Sequence, residues 1–472
     1  MTSSEPLDWQ GRHVTVAGLG VSGIPAAKVL HARGANVTVV NDGDDARARE
    51  QAAELEALGI TVRLGDGATL PEGTELVVTA PGWKPDKPLF AAARAAGLEI
   101  WGDVELAWRL RGPDAAPWLA ITGTNGKTTT TQMLASILKA AGLRTAAVGN
   151  IGVSLLDAVL GDEQYDVLAV ELSSYQLHWA PSLRAHSAAV LNLAPDHLDW
   201  HGSMEAYAAD KGRVYEGNRV ACVYNVADKA TEDLVRAADV EEGCRAVGFT
   251  LGTPGPSQLG VVEGILVDRA FVEDRHKNAQ ELAEISDVNP PAPHNIANAL
   301  AAAALARAFG VPARAVRDGL RDFTPDAHRI AHVADVDAVA YVDDSKATNT
   351  HAAEASLAAY ESIVWIAGGL AKGATFDELV AKSAKRLRGV VLIGQDRALI
   401  REALARHAPE VPVVDLDRTD TGAMLAAVQE ASRLAVAGDT VLLAPACASM
   451  DMFANYNKRG DAFAEAVREL GS

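Results

Sequence analysis

The chain of 472 residues is short of cysteine, of aromatic side chains and of positive charge. Its three cysteines are too few for a disulfide framework or a zinc cluster, so we expect a reducing, cytoplasmic compartment. Lysine and arginine number 43 against 62 acidic residues, and the net charge of −19 argues against a nucleic-acid partner. No apolar run approaches a membrane span, and the amino terminus MTSSEPLDWQGR lacks the basic and apolar segments of a signal peptide. We therefore expect no membrane insertion.

The stretch LAITGTNGKTTTT contains a glycine loop between a strand-like run and a helical one. Gly123 and Gly126 allow backbone N–H groups to converge on an anion, Lys127 adds a positive charge, and the hydroxyl of Thr128 can reach Mg²⁺. The following helix would direct its positive dipole end at the phosphates. The usual motif has a glycine where this chain has Ile121, so a glycine-rich turn without a ligand remains open.

Strand-like runs alternate with alanine-rich helical runs along the whole chain. The strand-like runs are HVTVAG, NVTVV, LVVTA, WLAIT, DVLAVEL, AAVLNL, SIVWIAGG, GVVLIG and DTVLLAP. This alternation predicts α/β architecture with parallel sheets, and proline-containing joints divide it into three domains. We predict a Rossmann-like domain over 1–112, a central P-loop-type ATP-binding domain over 113–325 and a C-terminal Rossmann-like domain over 326–472. The turn-rich stretch 244–293 predicts a small accessory sheet attached to the central domain.

A second glycine motif lies near the amino terminus, in HVTVAGLGVSG. Gly18, Gly20 and Gly23 form G-x-G-x-x-G after a strand-like run, and Asp42 follows the next such run. This pattern is typical of a pyrophosphate at a helix start with a carboxylate near a sugar hydroxyl. NAD and UDP-sugars both offer these groups, and a structural turn also fits. Because a second phosphate loop lies in another domain, we favour an enzyme that uses two nucleotides.

Polar residues at the ends of the central strands are candidates for metal and nucleotide binding. Glu171 ends the run AVE, where a Mg²⁺ ligand commonly lies, although an ion-paired glutamate is the alternative. His197 lies on a loop after the next strand and can ligate a metal or have a purely structural role. Asn295 and Asn298 share one face of a helix and can pair with an adenine edge or serve as a cap.

The third domain has polar groups after two of its strands, where α/β proteins bind ligands. Asp344 and Lys346 follow the run AVAYV, and Ser449 follows TVLLA. Lys346, Ser449 and nearby N–H groups are suited to a small acidic substrate. A nucleophilic role for the thiol of Cys447 is disfavoured because the sequence offers it no paired base.

Taken together, these motifs resemble the ATP-dependent Mur ligases of peptidoglycan synthesis. GTNGKTTT, ELSSYQL, DHLDWHGS with Lys211 downstream, HNIAN, the HR pair at 328–329, DDSKATN and PACASMD occur in the order typical of that family. The resemblance spans essentially the whole chain, and the loop without its first glycine matches the family's shorter form. GLGVSG, DDSKATN and PACASMDMFANY look most like the members that add D-glutamate, although Tyr456 stands where a phenylalanine is expected.

The resemblance implies that ATP phosphorylates a substrate carboxylate and that the amine of D-glutamate attacks the resulting acyl phosphate. The implied substrates are UDP-N-acetylmuramoyl-L-alanine and D-glutamate, the implied cofactors are ATP, two Mg²⁺ ions and a carbamylated lysine, and we expect a monomer. The implied catalytic residues are Lys127, Glu171, His197, Lys211 and Lys346. The implied metal ligands are Thr128, Glu171, His197 and carbamylated Lys211.

The resemblance also implies three sets of substrate contacts. ATP would be bound by Gly123, Thr124, Asn125, Gly126, Lys127, Thr128, Thr129, Asn295, Asn298, Arg329 and Asp344. The UDP-linked substrate would be bound by Gly18, Gly20, Ser22, Gly23, Asp42, Asn150, Ser173 and His197. D-glutamate would be bound by Lys346, Thr348, Lys372, Ser449, Met450 and Tyr456.

Two alternatives to D-glutamate addition remain. One is another amino-acid-adding ligase of the same superfamily, including folylpolyglutamate synthase. The sequence has no Asp-Asn-Pro-Arg motif for a diamino acid, which disfavours such a ligase. The other is a non-catalytic nucleotide-binding scaffold. That alternative requires that none of four residues has a catalytic role: Lys127, Glu171, His197 and Lys346.

Overall fold

The computed structural model describes residues 7–418, 420 and 422–471. The first six residues, on which the argument against a signal peptide partly rests, lie outside the described residues. The chain forms two compact units, one of residues 7–285 with Asn298–Asp322 and one of Ser286–Ala297 with residues 323–471. Among the described residues, none of the helices has both the length and the apolar character needed to cross a bilayer.

The first sheet of the first unit is a parallel Rossmann-like sheet with strand order β3-β2-β1-β4-β5. Its strands are β1 (His13–Ala17), β2 (Asn36–Asn41), β3 (Thr61–Leu64), β4 (Leu76–Thr79) and β5 (Glu99–Gly102). Its helices are α1 (Gly23–Ala32), α2 (Ala46–Glu56), α3 (Pro88–Ala95) and α4 (Asp103–Leu110). Val14, Val16 and Val78 are buried in a cluster on one face of this sheet and Ala17 and Val77 in a cluster on the other, as in a parallel sheet covered by helices.

The second sheet of this unit has nine strands in the order β14-β13-β12-β11-β10-β9-β6-β8-β7. The strands are β6 (Trp118–Thr122), β7 (Ala147–Gly149), β8 (Leu168–Glu171), β9 (Ser187–Val190), β10 (Ala221–Asn225), β11 (Arg245–Phe249), β12 (Gln258–Val262), β13 (Ile265–Asp268) and β14 (Gln280–Glu284). The strands of the expected accessory sheet continue the central sheet through the pairing of β10 with β11. The pairs β12–β13 and β13–β14 are antiparallel, whereas β10–β11 and β11–β12 are parallel.

Helix α5 (Lys127–Ala140) packs closely against α12 (Ala313–Asp322) and so is fixed behind the glycine loop that precedes it. The hydroxyl of Ser136 donates to the carbonyl oxygen of Gly319 at 2.7 Å. A Cβ atom on Gly319 would lie 2.4 Å from the Cα atom of Ile137, so this crossing requires glycine. The other helices are α6 (Leu155–Leu160), α7 (Ser174–His178), α8 (Leu198–His201), α9 (Met204–Gly212), α10 (Lys229–Ala237) and α11 (Pro293–Ala308).

The second unit contains a six-stranded sheet with strand order β15-β16-β20-β17-β18-β19. Its strands are β15 (Ala331–Val336), β16 (Val339–Asp343), β17 (Ile363–Gly368), β18 (Leu387–Ile393), β19 (Val413–Asp415) and β20 (Thr440–Leu443). Its helices are α13 (Thr350–Leu357), α14 (Asp377–Ser383), α15 (Arg397–His407), α16 (Ala423–Leu434) and α17 (Tyr456–Leu470). All pairs are parallel except β15 with β16. The predicted α/β fold class, with Rossmann-like sheets at both ends of the chain, is confirmed, and the predicted domain boundaries stay predictions.

Candidate functional site

Residues 123–128, which we call the phosphate loop, connect β6 to α5. Gly123 and Gly126 have φ angles of 152° and 84°, which disfavour other residues. A Cβ atom on Gly126 would also lie 2.5 Å from Oδ1 of Asn298. Asn192 holds the loop from the end of β9: its Oδ1 accepts from the N–H of Asn125 at 2.9 Å, and its Nδ2 donates to the carbonyl oxygen of Asn125 at 3.1 Å.

Two lysines converge on the phosphate loop. Nζ of Lys127 donates to the carbonyl oxygens of Gly123 and Thr124, both at 2.9 Å. Nζ of Lys211, which comes from α9, donates to the same Gly123 oxygen at 2.8 Å and lies 4.7 Å from the ring centroid of Tyr207. Lys211 is 2% exposed, and burial, followed by the nearby charge of Lys127, holds its pKa well below the usual range.

Glu171 ends β8 beside this loop and is buried. Its Oε1 accepts from Nδ2 of Asn150 at 2.8 Å, while its Oε2 is buried and has no hydrogen-bond partner within the described residues. A buried carboxylate oxygen of this kind is costly unless something binds it. A hard cation such as Mg²⁺ fits that position, because it prefers carboxylate oxygen.

His197 precedes α8 with a φ angle of 54°, and its Nε2 lies 3.5 Å from Oδ2 of Asp196. Burial lowers the pKa of His197, Asp196 opposes that change, and the charges of Lys127 and Lys211 add to it. A neutral imidazole is the form that can ligate a metal. The two lysines at the phosphate loop therefore favour the neutral form of His197.

The predicted metal ligands include a hydroxyl group and a lysine in addition to a carboxylate and an imidazole. Over residues 7–418, 420 and 422–471, no group of three or more His, Cys, Asp and Glu side chains is arranged to hold a metal ion. Thr128 and Glu171 offer a hydroxyl and a carboxylate to a metal ion. Near His197, the other predicted ligand is Lys211, whose unmodified side chain has no oxygen atom. The residues fit two hard cations if Lys211 is modified to carry oxygen atoms.

A network behind these residues was not predicted from the sequence. Asp210 is hydrogen-bonded to Nδ1 of His178 and Nδ1 of His201, each at 2.9 Å, and Nε of Arg213 lies 3.2 Å away. These contacts lower the pKa of Asp210 to about 2, despite the opposing effect of burial. The network joins α7, α8 and α9, which carry or flank the predicted ligands. The sequence signal for this network was the position of Asp210, a carboxylate directly before Lys211.

The glycine loop of the first sheet has the geometry of a nucleotide-binding turn. Gly18 has a φ angle of 109°, and a Cβ atom on Gly23 would lie 1.9 Å from the carbonyl oxygen of Gly18. A Cβ atom on Gly20 would have no heavy atom within 4 Å, so this glycine leaves space for a ligand. Asp42 follows β2, and its Oδ2 lies 2.5 Å from Nζ of Lys87. The three glycines thus match the turn, the ligand approach and the close packing of a Rossmann loop.

Two residues predicted to bind the UDP-linked substrate are connected by side chains that were not predicted. The hydroxyl of Ser22 donates to Oδ2 of Asp103 at 2.9 Å, and Nε2 of Gln176 donates to the same oxygen at 3.4 Å. Oε1 of Gln176 accepts from the N–H of Ser173 at 3.0 Å, completing a capping box on α7. The pattern Ser-x-x-Gln was visible in the sequence. The position of Asp103 after a parallel strand was a further signal.

In the second unit, the loops after β16, β17 and β20 lie together. The N–H of Ala446 donates to the carbonyl oxygen of Ala347 at 2.9 Å, and Leu370 and Ala448 form an isolated bridge. Four predicted D-glutamate contacts lie on these loops: Thr348 is partly buried, Lys372 and Met450 are exposed and Ser449 is buried. The fold therefore groups these residues at one edge of the sheet.

Lys346 and Tyr456 complete the predicted D-glutamate set. Nζ of Lys346 lies 4.1 Å from the ring centroid of Tyr456, within cation–π range. Arg459, which the sequence analysis missed, is buried and donates to the carbonyl oxygens of Ser345 and Cys447 at 2.8 and 3.0 Å. Burial raises the pKa of Cys447 to about 12, which agrees with an unreactive thiol.

The residues predicted to contact the rest of ATP belong to both units. Asn298 lies beside Gly126 in the first unit, and Asn295 lies in the second, with its Nδ2 3.3 Å from the carbonyl oxygen of Pro290. Thr129 is buried in the first turn of α5. In the second unit, burial raises the pKa of Asp344 to about 6 and the charge of Arg329 partly opposes this change.

Comparison with known proteins agrees with this arrangement. The Mur ligase middle domain model matches residues 121–306, and the model described as Mur ligase, glutamate ligase domain, matches residues 328–447. A pyridine nucleotide-disulphide oxidoreductase model matches residues 13–79, which is part of the first sheet only.

Three curated relatives are named UDP-N-acetylmuramoylalanine--D-glutamate ligase. Those of Streptomyces avermitilis and Streptomyces coelicolor are 90% and 88% identical to this chain, cover 98% and 99% of it and are covered over their full length. That of Thermobifida fusca is 59% identical over 98% of this chain and 100% of its own length.

Solved structures with low sequence identity share the fold. A pseudomurein peptide ligase type C from Methanothermus fervidus has a TM-score of 0.58 at 18% identity, with 98% of this chain and 100% of that chain covered. MurF from Acinetobacter baumannii has a TM-score of 0.57 at 16% identity, with 98% and 91% covered.

The two glycine loops and the three parallel-sheet regions define a multidomain nucleotide-binding α/β enzyme. The chain belongs to the Mur ligase family, and its curated relatives over the full length are the D-glutamate ligases of that family.

Proposed function

We propose that this protein is the ATP-dependent ligase that joins D-glutamate to UDP-N-acetylmuramoyl-L-alanine in the synthesis of the peptidoglycan precursor. The single observation that supports this function best is the convergence of Lys127 and Lys211 on the carbonyl oxygen of Gly123 in the phosphate loop, with Glu171 at the end of the strand that pairs with β6. The names of relatives up to 90% identical support the choice of substrates.

The reaction needs an activated carboxylate, because a free carboxylate has no good leaving group. The carboxylate oxygen of the alanyl group forms a bond to the γ-phosphorus of ATP while the bond to the β-phosphate oxygen breaks, so ADP leaves. The amine of D-glutamate then attacks the acyl carbon, phosphate leaves with the electron pair of the C–O bond, and the nitrogen loses a proton. Lys127 and the N–H groups of residues 123–128 would bind the phosphates throughout.

Two Mg²⁺ ions fit the donors around this loop. Thr128 and Glu171 would hold one ion, and His197 with a carbamate on Lys211 would hold the other. When bound, the ions neutralise charge that develops on the transferred phosphoryl group. Oε2 of Glu171, buried without a hydrogen-bond partner in the described part of the chain, supports the first of these sites.

The remaining predicted residues would orient the substrates. The UDP-linked substrate would lie along Gly18, Gly20, Ser22, Gly23, Asp42, Asn150, Ser173 and His197. Asn295, Asn298, Arg329 and Asp344 would contact ATP beyond its phosphates. D-glutamate would contact Lys346, Thr348, Lys372, Ser449, Met450 and Tyr456, where the ammonium group of Lys346 suits one of its carboxylates.

Phosphate release in the presence of ATP, Mg²⁺ and UDP-N-acetylmuramoyl-L-alanine tests this function across a panel of amino acids. We expect release with D-glutamate and little with L-glutamate, L-lysine, diaminopimelate or a folate substrate. With an ¹⁸O-labelled alanyl carboxylate, one label should appear in the phosphate, because an acyl phosphate forms. Release with another amino acid alone, or phosphate without label, would contradict the proposal.

A further inference from the structure

A cavity of about 340 Å³ lies in the first unit between the first glycine loop and the segment after β7. Its wall includes the polar residues Ser22, Asp103, Asn150, Ser154 and Gln176. The cavity adjoins the predicted nucleotide loop through Ser22 and the phosphate-transfer residues through Asn150, whose Nδ2 donates to Glu171. A ligand in this cavity would therefore occupy the space between a bound nucleotide and the reacting group.

Asp103 has one carboxyl oxygen that no group of the described chain satisfies. Its Oδ2 accepts from the hydroxyl of Ser22 at 2.9 Å and from Nε2 of Gln176 at 3.4 Å. Its Oδ1 is buried and makes no hydrogen bond within residues 7–418, 420 and 422–471. Burial raises the pKa of Asp103, and the hydrogen bonds from Ser22 and Gln176, followed by the N–H groups of Val104 and Asp103, oppose part of this change. A buried acceptor without a donor is destabilising, so this oxygen is suited to a ligand donor.

The composition of the wall restricts the ligand. Within the described part of the chain, no lysine or arginine lines the cavity, whereas serine, asparagine, glutamine and apolar residues such as Leu155 do. A diphosphate would meet a carboxyl group there without a compensating cation, which is unfavourable. A neutral group that carries hydroxyl or amide N–H donors satisfies Oδ1 and the other polar atoms of the wall.

We propose that Asp103 is a specificity-determining residue that accepts, through Oδ1, a hydrogen bond from a hydroxyl or acetamido N–H of the sugar in the UDP-linked substrate. Ser22 and Gln176 position the carboxyl group by holding Oδ2. The inference rests on the proposed function, because that function supplies the nucleotide-linked sugar. A substrate that lacks the donor would leave Oδ1 unsatisfied, which is a strong source of discrimination.

The Asp103→Asn variant tests the inference by calorimetry with two probes, UDP and UDP-N-acetylmuramoyl-L-alanine. The asparagine oxygen is expected to take the place of Oδ2, where Gln176 donates, so its NH₂ group would face the ligand in place of Oδ1. We expect affinity for the full substrate to fall about tenfold or more and affinity for UDP to stay unchanged. Asp114→Asn, which changes an exposed loop carboxylate, is the matched control.

Analogues of the substrate that lack one sugar hydroxyl or the acetamido N–H give a second test that needs no folded variant. One of these analogues should bind the unmodified protein more weakly than the full substrate does. In Asp103→Asn, that analogue and the full substrate should bind with the same affinity. Equal loss of UDP and full-substrate affinity in the variant, or no loss with any analogue, would overturn the inference. If the full substrate does not bind the unmodified protein at all, the proposed function fails instead.

Discussion

Lys127 and Lys211 donate hydrogen bonds to the same carbonyl oxygen, that of Gly123, at 2.9 and 2.8 Å. Two ammonium groups on one oxygen repel each other, and the repulsion is strongest where water is excluded. Lys211 is the more deeply buried lysine, and its lowered pKa favours the neutral amine. A neutral amine reacts with CO₂ to give an anionic carbamate, which would replace the repulsion with two metal-binding oxygens.

We therefore predict that Lys211→Ala loses most of its turnover, on the order of a hundredfold or more, as expected when a metal-binding group is removed. The variant should still fold and bind UDP-N-acetylmuramoyl-L-alanine. Added formate or acetate should restore part of the turnover by occupying the vacated position. Lys139→Ala, on the exposed face of α5, serves as the control. Near-normal turnover of Lys211→Ala in CO₂-depleted buffer would exclude a role for the carbamate.

The first glycine loop should bind a UDP-linked substrate and neither NAD nor NADP at micromolar concentration. The match of residues 13–79 to a pyridine nucleotide-disulphide oxidoreductase model covers only part of the first sheet, and the Rossmann geometry of Gly18, Gly20 and Gly23 is shared by both ligand classes. Calorimetry with the three ligands distinguishes the two cases. Tight binding of NAD would contradict this prediction.

Lys346→Ala should raise the KM for D-glutamate sharply and leave ATP binding little changed, because the predicted partner of its ammonium group is a substrate carboxylate. Tyr456→Phe should have a much smaller effect, since the ring that lies 4.1 Å from Nζ is retained. Lys385→Ala changes an exposed lysine of the same unit and is the control. Steady-state kinetics with each substrate varied in turn provides the measurement, and an unchanged KM for D-glutamate would remove Lys346 from the site.

The strands and the glycine loops could be predicted from the sequence because their signals are local. The run WLAIT is β6, and the glycines at 123 and 126 have the positive φ angles that their loop requires. The way in which β11–β14 join the central sheet was harder to predict, because β11 pairs with β10 through a crossover, α10, that lies outside the turn-rich stretch 244–293. The sequence therefore predicted a small accessory sheet attached to the central domain, but not the strand pairing that joins the two.

The polar networks around the site could not be predicted, because they join residues far apart in the sequence. Ser22 and Asp103 are 81 residues apart, and His178 and Asp210 are 32 apart. The sequence signals at Asp103 and Asp210, a position after a strand and a position beside Lys211, do not identify the donors, and only the fold brings those donors to them. Sequence motifs predicted candidate residues for the reaction, whereas the side chains that contact those candidates could be found only from the structure.

Asp344 provides a prediction about stability and pH. Burial raises its pKa from 3.8 to about 6, although Ser356 donates a hydrogen bond to its Oδ2. A raised carboxyl pKa means that the charged form is the less stable one in the folded state. The destabilisation is absent below about pH 4, grows between pH 4 and 6 and is complete above that range. By the usual conversion it amounts to about 3 kcal/mol at neutral pH, as an upper limit.

Asp344→Asn should therefore become more stable relative to the unmodified protein as the pH rises from 5 to 7.5. The difference in melting temperature between the two should grow by a few degrees over this range. The same variant should bind ATP more weakly, because we propose that the carboxylate contacts ATP, so stability would be gained at the expense of function. Asp417→Asn removes one exposed negative charge from the same unit and is the control. A melting-temperature difference that is the same at pH 5 and pH 7.5 would show that the charge of Asp344 carries no such cost.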